Sequence, residues 1–120
     1  MDRAETGERG EAAAARYYLD RGCRLLAHRY RTRMGELDLV LEEQGTVVIC
    51  EVKTRRAGSL IAPAEAVDAA KQQRLIRAAQ RYLQQTGRTE AIVRFDVAEV
   101  TPLPQGGWGV HCIRGAFDAF

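Results

Sequence analysis

The stretch Gly35-Glu36-Leu37-Asp38-Leu39-Val40-Leu41, followed by Thr46-Val47-Val48-Ile49-Cys50-Glu51-Val52-Lys53-Thr54 after the turn Glu43-Gln44-Gly45, decides how this chain folds. Both halves are rich in branched apolar residues, and a glycine closes the loop between them. Two strands joined by a tight turn are predicted, over residues 36–43 and 46–54. Side chains of a strand alternate between faces. Leu37, Leu39 and Leu41 are therefore expected on one face, with Glu36, Asp38 and Val40 on the other. In the second strand Glu51 and Lys53 share a face with Val47 and Ile49. An acid and a lysine thus interrupt an apolar face, where an unpaired charge is costly. Asp38 and Glu51 are about equally far from the turn, so the two carboxylates converge, with Lys53 one pleat further on.

Working outward, residues 25–33 form a short basic strand. Before it, an Ala-rich helix runs from Thr6, read as its N-cap, to Asp20, and Gly22 ends it. After the strand pair, a loop with Gly58 and Ser59 leads to Pro63, which suits a helix's first turn, with Glu65 beside it. That helix is predicted to reach about Gln85 and to stop at Gly87. Residues 91–100 form a β-branched strand, and residues 108–113 a last edge strand. Helix, three strands, helix and two strands predict an α/β domain. A hairpin beside crossover-connected strands makes the sheet mixed, flanked by helices.

The 120 residues, 46% hydrophobic and 28% charged, suit a single domain over residues 1–120 with one core. No stretch is long and apolar enough for a membrane span, and the polar start does not resemble a signal peptide. Cys23, Cys50 and Cys112 are unclustered, which fits a reducing cytoplasm and argues against a zinc site. The net charge of +2 conceals segregation. Sixteen of the 18 cationic residues are Arg, and the stretch from Lys71 to Thr89 has no acid. Arg pairs with phosphate through a planar fork. Arg74, Arg77 and Arg81, in a stripe extended by Arg88, are candidate nucleic-acid contacts. Arg29, Arg31 and Arg55, beside the strand pair, join them. The same arginines also read as a solvated face, or as cations set toward a helix C-terminus.

Two converging carboxylates repel unless a proton or a cation lies between them. Oxygen ligands of this kind suit Mg²⁺ or Mn²⁺, and a nearby lysine can orient water or neutralise developing charge. Asp38, Glu51 and Lys53 are the parts of metal-assisted phosphodiester hydrolysis. An ion pair of Lys53 with Glu51 or Asp38 on an exposed strand is the simpler alternative. Lys71 lies on the apolar stripe Val67, Lys71, Leu75, Ala78, Tyr82 of the second helix. It is expected either to reach the acidic site or to snorkel past it.

The spacing Gly35-Glu36-Leu37-Asp38-Leu39, then Glu51-Val52-Lys53, resembles the D…(D/E)-x-K core of restriction-endonuclease-like nucleases. The whole chain is similar to the small bacterial YraN-like family, related to archaeal Holliday-junction resolvases. Gly7-x-x-Gly10-Glu11-x-x-Ala14, Lys71, Leu75, Ala79, Tyr82, Leu83 and Phe95-Asp96-Val97 carry the rest of the likeness. The resemblance implies a restriction-endonuclease-like mixed sheet. It implies Asp38 and Glu51 as metal ligands, with the Val52 carbonyl and Glu11 completing the site. Lys53 would contact the scissile phosphate or the attacking water, and Glu36 would support Asp38 or touch substrate. Arg29 stands where the family often has Asn. The expected activity is a metal-dependent endonuclease acting on DNA, including branched DNA; a non-catalytic nucleic-acid-binding or partner-binding module is the alternative. With so little chain for a recognition domain, a homodimer or a DNA-processing partner would supply specificity.

Overall fold

Gln44 and Gly45 both take positive φ, 47° and 87°, the backbone of a two-residue hairpin turn whose twist matches its strands. That turn joins β2 (Gly35–Glu43) to β3 (Thr46–Thr54). The computed structural model describes residues 3–55 and 67–119. The remaining elements are α1 (Arg3–Asp20), β1 (Arg24–Thr32), α2 (Ala69–Gln85), β4 (Ile92–Pro102) and β5 (Trp108–Phe117). The sheet order is β1-β2-β3-β4-β5. Only β3 and β4 run parallel, connected through α2; the other neighbours are antiparallel. This is the mixed α/β sheet expected, and it is compatible with a restriction-endonuclease-like fold.

The helices cover opposite faces. Gly10, Ala14 and Tyr18 form a buried line at i, i+4 and i+8 of α1. Ala14 and Tyr18 pack on Leu39, Leu41, Val48, Cys50, Ala98 and Val100. On the other face, Leu75, Ala78, Ala79 and Tyr82 of α2 pack on Val40, Val47, Ile49 and Val97. Cys50 is fully buried in the packing beneath α1. No helix of the described residues is long and apolar enough to cross a membrane.

Several boundaries differ from the sequence reading. Helix α1 begins at Arg3, so Thr6 sits inside it and is not the N-cap. Its end follows expectation: Gly22 takes φ 85° and Cys23 N donates to Tyr18 O at 3.1 Å. Helix α2 is capped by Asp68, whose side chain accepts from Lys71 N at 2.8 Å. Val67 therefore precedes the helix, although it is buried beneath it. Gly58, Ser59, Pro63 and Glu65 lie outside the described residues. Strand β5 extends to Phe117, beyond residue 113, past a register shift at Asp96. Gly115 takes φ 60° there and its N–H donates to Asp96 Oδ1 at 2.9 Å.

The largest departure lies in β2. Strict alternation ends at Asp38: Leu39 packs beneath α1, whereas Leu37, two residues away, packs beneath α2. The same break faces it in β1. His28 reaches Glu11 of α1, while Tyr30 stacks edge-on against Tyr82 of α2. Arg29, with φ 51°, stands between them, and it and Asp38 lie between the pairs His28↔Leu39 and Tyr30↔Leu37. Asn tolerates that left-handed region better than Arg does. Pairing of β2 with β3 ends at Leu39↔Cys50, so the strands fork beyond Asp38.

Candidate active site

The fork places Asp38 on the α2 side. Its Oδ2 accepts a hydrogen bond from Val52 N at 2.9 Å, bridging the gap that the lost ladder leaves. Glu51 needs no irregularity. It follows Ile49 in β3 by alternation and emerges beneath α2, where its side chain is 7% exposed. Asp38 and Glu51 line one cavity of about 320 Å³ with Glu36, Lys71, Arg74 and Leu75. Burial, then the neighbouring Glu51 charge, push the Asp38 carboxyl up to about 7. The Val52 hydrogen bond opposes that rise, and the more distant Glu11 charge adds to it.

Both lysines of the chain converge on one atom. Lys71 Nζ lies 2.7 Å and Lys53 Nζ 3.5 Å from Glu51 Oε1. The Lys71 stem crosses from α2, which is how a lysine on an apolar stripe keeps its charge solvated or paired. Burial, then the adjacent Lys71, lower the Lys53 pKa. Burial is the largest single influence on Lys71 and pulls it down, but its hydrogen bonds to Glu51 and Lys53 and the charges of Glu51 and Asp38 together raise it. The pair is therefore electrostatically unequal, with Lys71 the more firmly protonated.

Glu11 does not join the cavity. It lies beneath α1, accepting from Arg29 Nε at 2.8 Å and pairing with His28 Nε2 at 2.8 Å. The bent backbone of Arg29 turns that guanidinium toward α1 and holds Glu11 there. Among the described residues, no three His, Cys, Asp or Glu side chains are grouped to hold a metal ion. The cavity's carboxylates are Asp38, Glu51 and Glu36, the last paired with Arg31.

The arginines divide into two sets. Arg29 also approaches Glu8 at 3.6 Å, Arg31 pairs with Glu36 at 3.0 Å, and Arg88 lies beyond α2 at 3.5 Å from Glu42. Arg55 is mostly buried, 3.6 Å from Glu99, and its Nε and Nη2 have no hydrogen-bond partner among the described residues. These four serve the protein's own acids. Arg74, Arg77 and Arg81 are exposed on α2, and no acid pairs with them among the described residues.

A model of the family described as "Uncharacterised protein family UPF0102" matches residues 10–100. The chain belongs to UPF0102. A UPF0102 protein of Symbiobacterium thermophilum is 46% identical over 113 residues, covering 94% of this chain and 96% of its own. Those of Alkaliphilus metalliredigens and Nitrosococcus oceani are 44% and 40% identical, covering 92% and 94% of this chain and 96% and 91% of theirs. The YraN-like resemblance read from the whole chain is this same family.

This UPF0102 member has one polar centre whose partners the sequence did not reveal. Asp96, 1% exposed, accepts from Tyr18 OH at 2.7 Å, from Arg94 Nε at 2.9 Å and Nη2 at 3.1 Å, and from Gly115 N. Every lone-pair direction of the carboxylate is used, which is what a buried charge needs. Arg94 continues to Glu43 at 2.8 Å, which Arg114 also meets at 2.7 Å. Burial, then nearby acidic groups, hold the Tyr18 hydroxyl protonated far above its ordinary range. This network lies beneath α1, on the sheet face opposite the Asp38 cavity, and joins α1 to β4 and β5. A lone acid in the apolar run Phe95-Asp96-Val97 was its only trace in the sequence.

Proposed function

We propose that this UPF0102 protein is a metal-dependent nuclease that hydrolyses nucleic-acid phosphodiesters, DNA being the expected substrate. The observation that carries the reading is the convergence of Asp38 and Glu51 on one cavity, with two lysines on the same Glu51 oxygen. A pair of close carboxylates, one raised to about 7, is a setting that a divalent cation relieves. The donors are hard oxygens, which suits Mg²⁺ or Mn²⁺; Mg²⁺ keeps several waters and does not need a third carboxylate. Asp38 and Glu51 would hold the ion, with the Val52 carbonyl as a further donor. Glu11, engaged by Arg29, would act only through its charge.

Bound there, the ion would supply Lewis-acid polarisation of the phosphate and a water of lowered pKa. The chain's own groups do the rest. Lys71 fixes the Glu51 carboxylate in position. Lys53, the more weakly protonated ammonium, neutralises charge that grows on the phosphate in the transition state. Arg74 stands on the cavity wall, where a neighbouring phosphate would arrive.

A second reading draws on the same ion pairs. With Lys53 and Lys71 already neutralising Glu51, the cluster is stable without a metal and suits a non-catalytic nucleic-acid-binding module. A cleavage panel decides between them: single-stranded, duplex, flap and four-way-junction DNA with Mg²⁺ or Mn²⁺, wild type beside Asp38→Asn. The nuclease reading expects cleavage that falls by orders of magnitude in Asp38→Asn while DNA binding survives. Undiminished cleavage by purified Asp38→Asn, or none by wild type, ends that reading.

A further inference from the structure

Next to the Asp38 cavity lies a second concavity of about 500 Å³, lined by Arg33, Met34, Arg77, Gln80, Arg81 and Gln84. Both are bounded by the same two walls. One is the β1–β2 turn, which gives Arg33 and Met34 here and Gly35 and Glu36 to the Asp38 cavity. The other is α2, from Lys71 and Arg74 at the acidic end to Arg81 and Gln84 at the far end. The two therefore form consecutive parts of one trough along the helix. The turn wall is braced: Thr32 Oγ1 accepts from Met34 N at 3.0 Å and donates to Gly35 O at 2.8 Å.

Its charge is uncompensated. No acid pairs with Arg33, Arg77 or Arg81 among the described residues. Arg74, Arg77 and Arg81 are spaced i, i+3 and i+7, so like charges face one another on the helix, an arrangement that destabilises a helix unless an anion joins it. The helix dipole does not explain it, because that effect is confined to the last turn and the last turn of α2 has no basic residue. Two glutamine amides and the Met34 thioether, whose residue is 47% exposed, lie among the guanidinium groups. Amides can pair with base edges and a thioether can lie against a base face. A duplex offers this trough its phosphates, with the bases turned inward; an unpaired strand offers both. The volume lies in the range of about 300–1,000 Å³ typical of clefts that engulf small ligands.

We propose that this trough seats an unpaired nucleic-acid strand, phosphates on Arg33, Arg77 and Arg81 and bases toward Met34, Gln80 and Gln84. The strand would lead past Arg74 to the Asp38–Glu51 cavity, which makes the substrate one with a single-stranded arm beside the scissile bond. That last step rests on the nuclease reading; the binding preference does not.

The test is fluorescence anisotropy with a labelled single-stranded DNA and the blunt duplex of the same sequence, in EDTA, over a salt series. Wild type is expected to bind the single strand more tightly than the duplex. Arg33→Ala/Arg77→Ala/Arg81→Ala, checked for wild-type circular dichroism and Tm, should lose roughly tenfold or more on the single strand. Its log–log salt slope should become shallower by about 2, since each single-strand phosphate contact contributes ~0.7. Met34→Ser/Gln80→Ala/Gln84→Ala, which removes no charge, should weaken single-strand binding and leave that slope unchanged. It also provides an independent test should the arginine variant not fold. Equal or tighter binding of duplex by wild type, or undiminished single-strand binding by a folded arginine variant, overturns the proposal. Absence of cleavage by wild type would end the nuclease reading and leave these binding results standing.

Discussion

Lys71 Nζ lies 2.7 Å from Glu51 Oε1, so an ammonium carried by α2 clamps an acid carried by the central strand β3. Removing it leaves a nearly buried carboxylate with Lys53 at 3.5 Å as its remaining ammonium partner. Lys71→Met should therefore destabilise the metal-free protein by about 1–3 kcal/mol. Urea denaturation with and without Mg²⁺ checks this. Saturating Mg²⁺ should recover part of the loss; no recovery would mean that the cation does not reach Glu51.

Asp38 gives stability a pH dependence of definite sign. Its carboxyl titrates near 3.8 when unfolded and about 7 when folded, so between those values the folded state holds more of the proton. The contribution of this residue is full below about pH 4 and is lost as pH rises through 7. Thermal unfolding of wild type and Asp38→Asn from pH 4 to 8, in EDTA, isolates it. The variant should gain on wild type by on the order of 2–4 kcal/mol across the range. Mg²⁺ should shrink that gap at pH 8. Parallel curves would show that Asp38 is ionised throughout.

The buried Asp96 centre should matter for folding and not for chemistry. Asp96→Ala leaves the Tyr18 hydroxyl, the Gly115 N–H and two Arg94 N–H groups without their acceptor, with Arg94 keeping only Glu43, and should cost about 3–5 kcal/mol. Tyr18→Phe removes one hydroxyl donor and should cost about 1–2 kcal/mol. Denaturant midpoints measure both. Any cleavage by folded Tyr18→Phe should match wild type; a selective loss would tie the network to the site.

Gly10 of α1 lies close against Thr54 of β3. A Cβ there would overlap Thr54 Oγ1, with the rest of that side chain at ordinary contact distance. Gly10→Ala should cost about 1–3 kcal/mol by overpacking. In that background Thr54→Ala should cost less than it does in wild type, because it clears the overlap. Additive effects would place the strain elsewhere.

Much of the fold was legible because short-range rules apply where tertiary structure agrees with them. Gln44-Gly45 encodes its turn directly, and β3 alternates without interruption, so Glu51 and Lys53 are found on the correct face. Asp38 was found for an incomplete reason. Period-two alternation puts it opposite Leu37, but the two lie on the same side, because the break at Arg29 and Asp38 depends on the fork from β3. The start of α2 was not read from the sequence: Asp68 caps it by accepting from Lys71 N, and Pro63, the signal the sequence offered, lies outside the described residues. The capture of Glu11 by Arg29 could not be read at all, since it joins residues 18 apart through a positive φ that Arg seldom adopts.

The facing irregularities at Arg29 and Asp38 act as a compensated pair of frameshifts in three dimensions. A slip in one strand alone would turn every later side chain of that strand inside out; two slips at the same rung leave the rungs beyond it matched. The register of the two strands across the rung of Arg29 and Asp38 is thus locked on both sides at once. A residue inserted into one strand there should be tolerated only with a matching insertion in the other, and natural length variation in this hairpin should be confined to its Arg33-Met34 tip or come in such pairs.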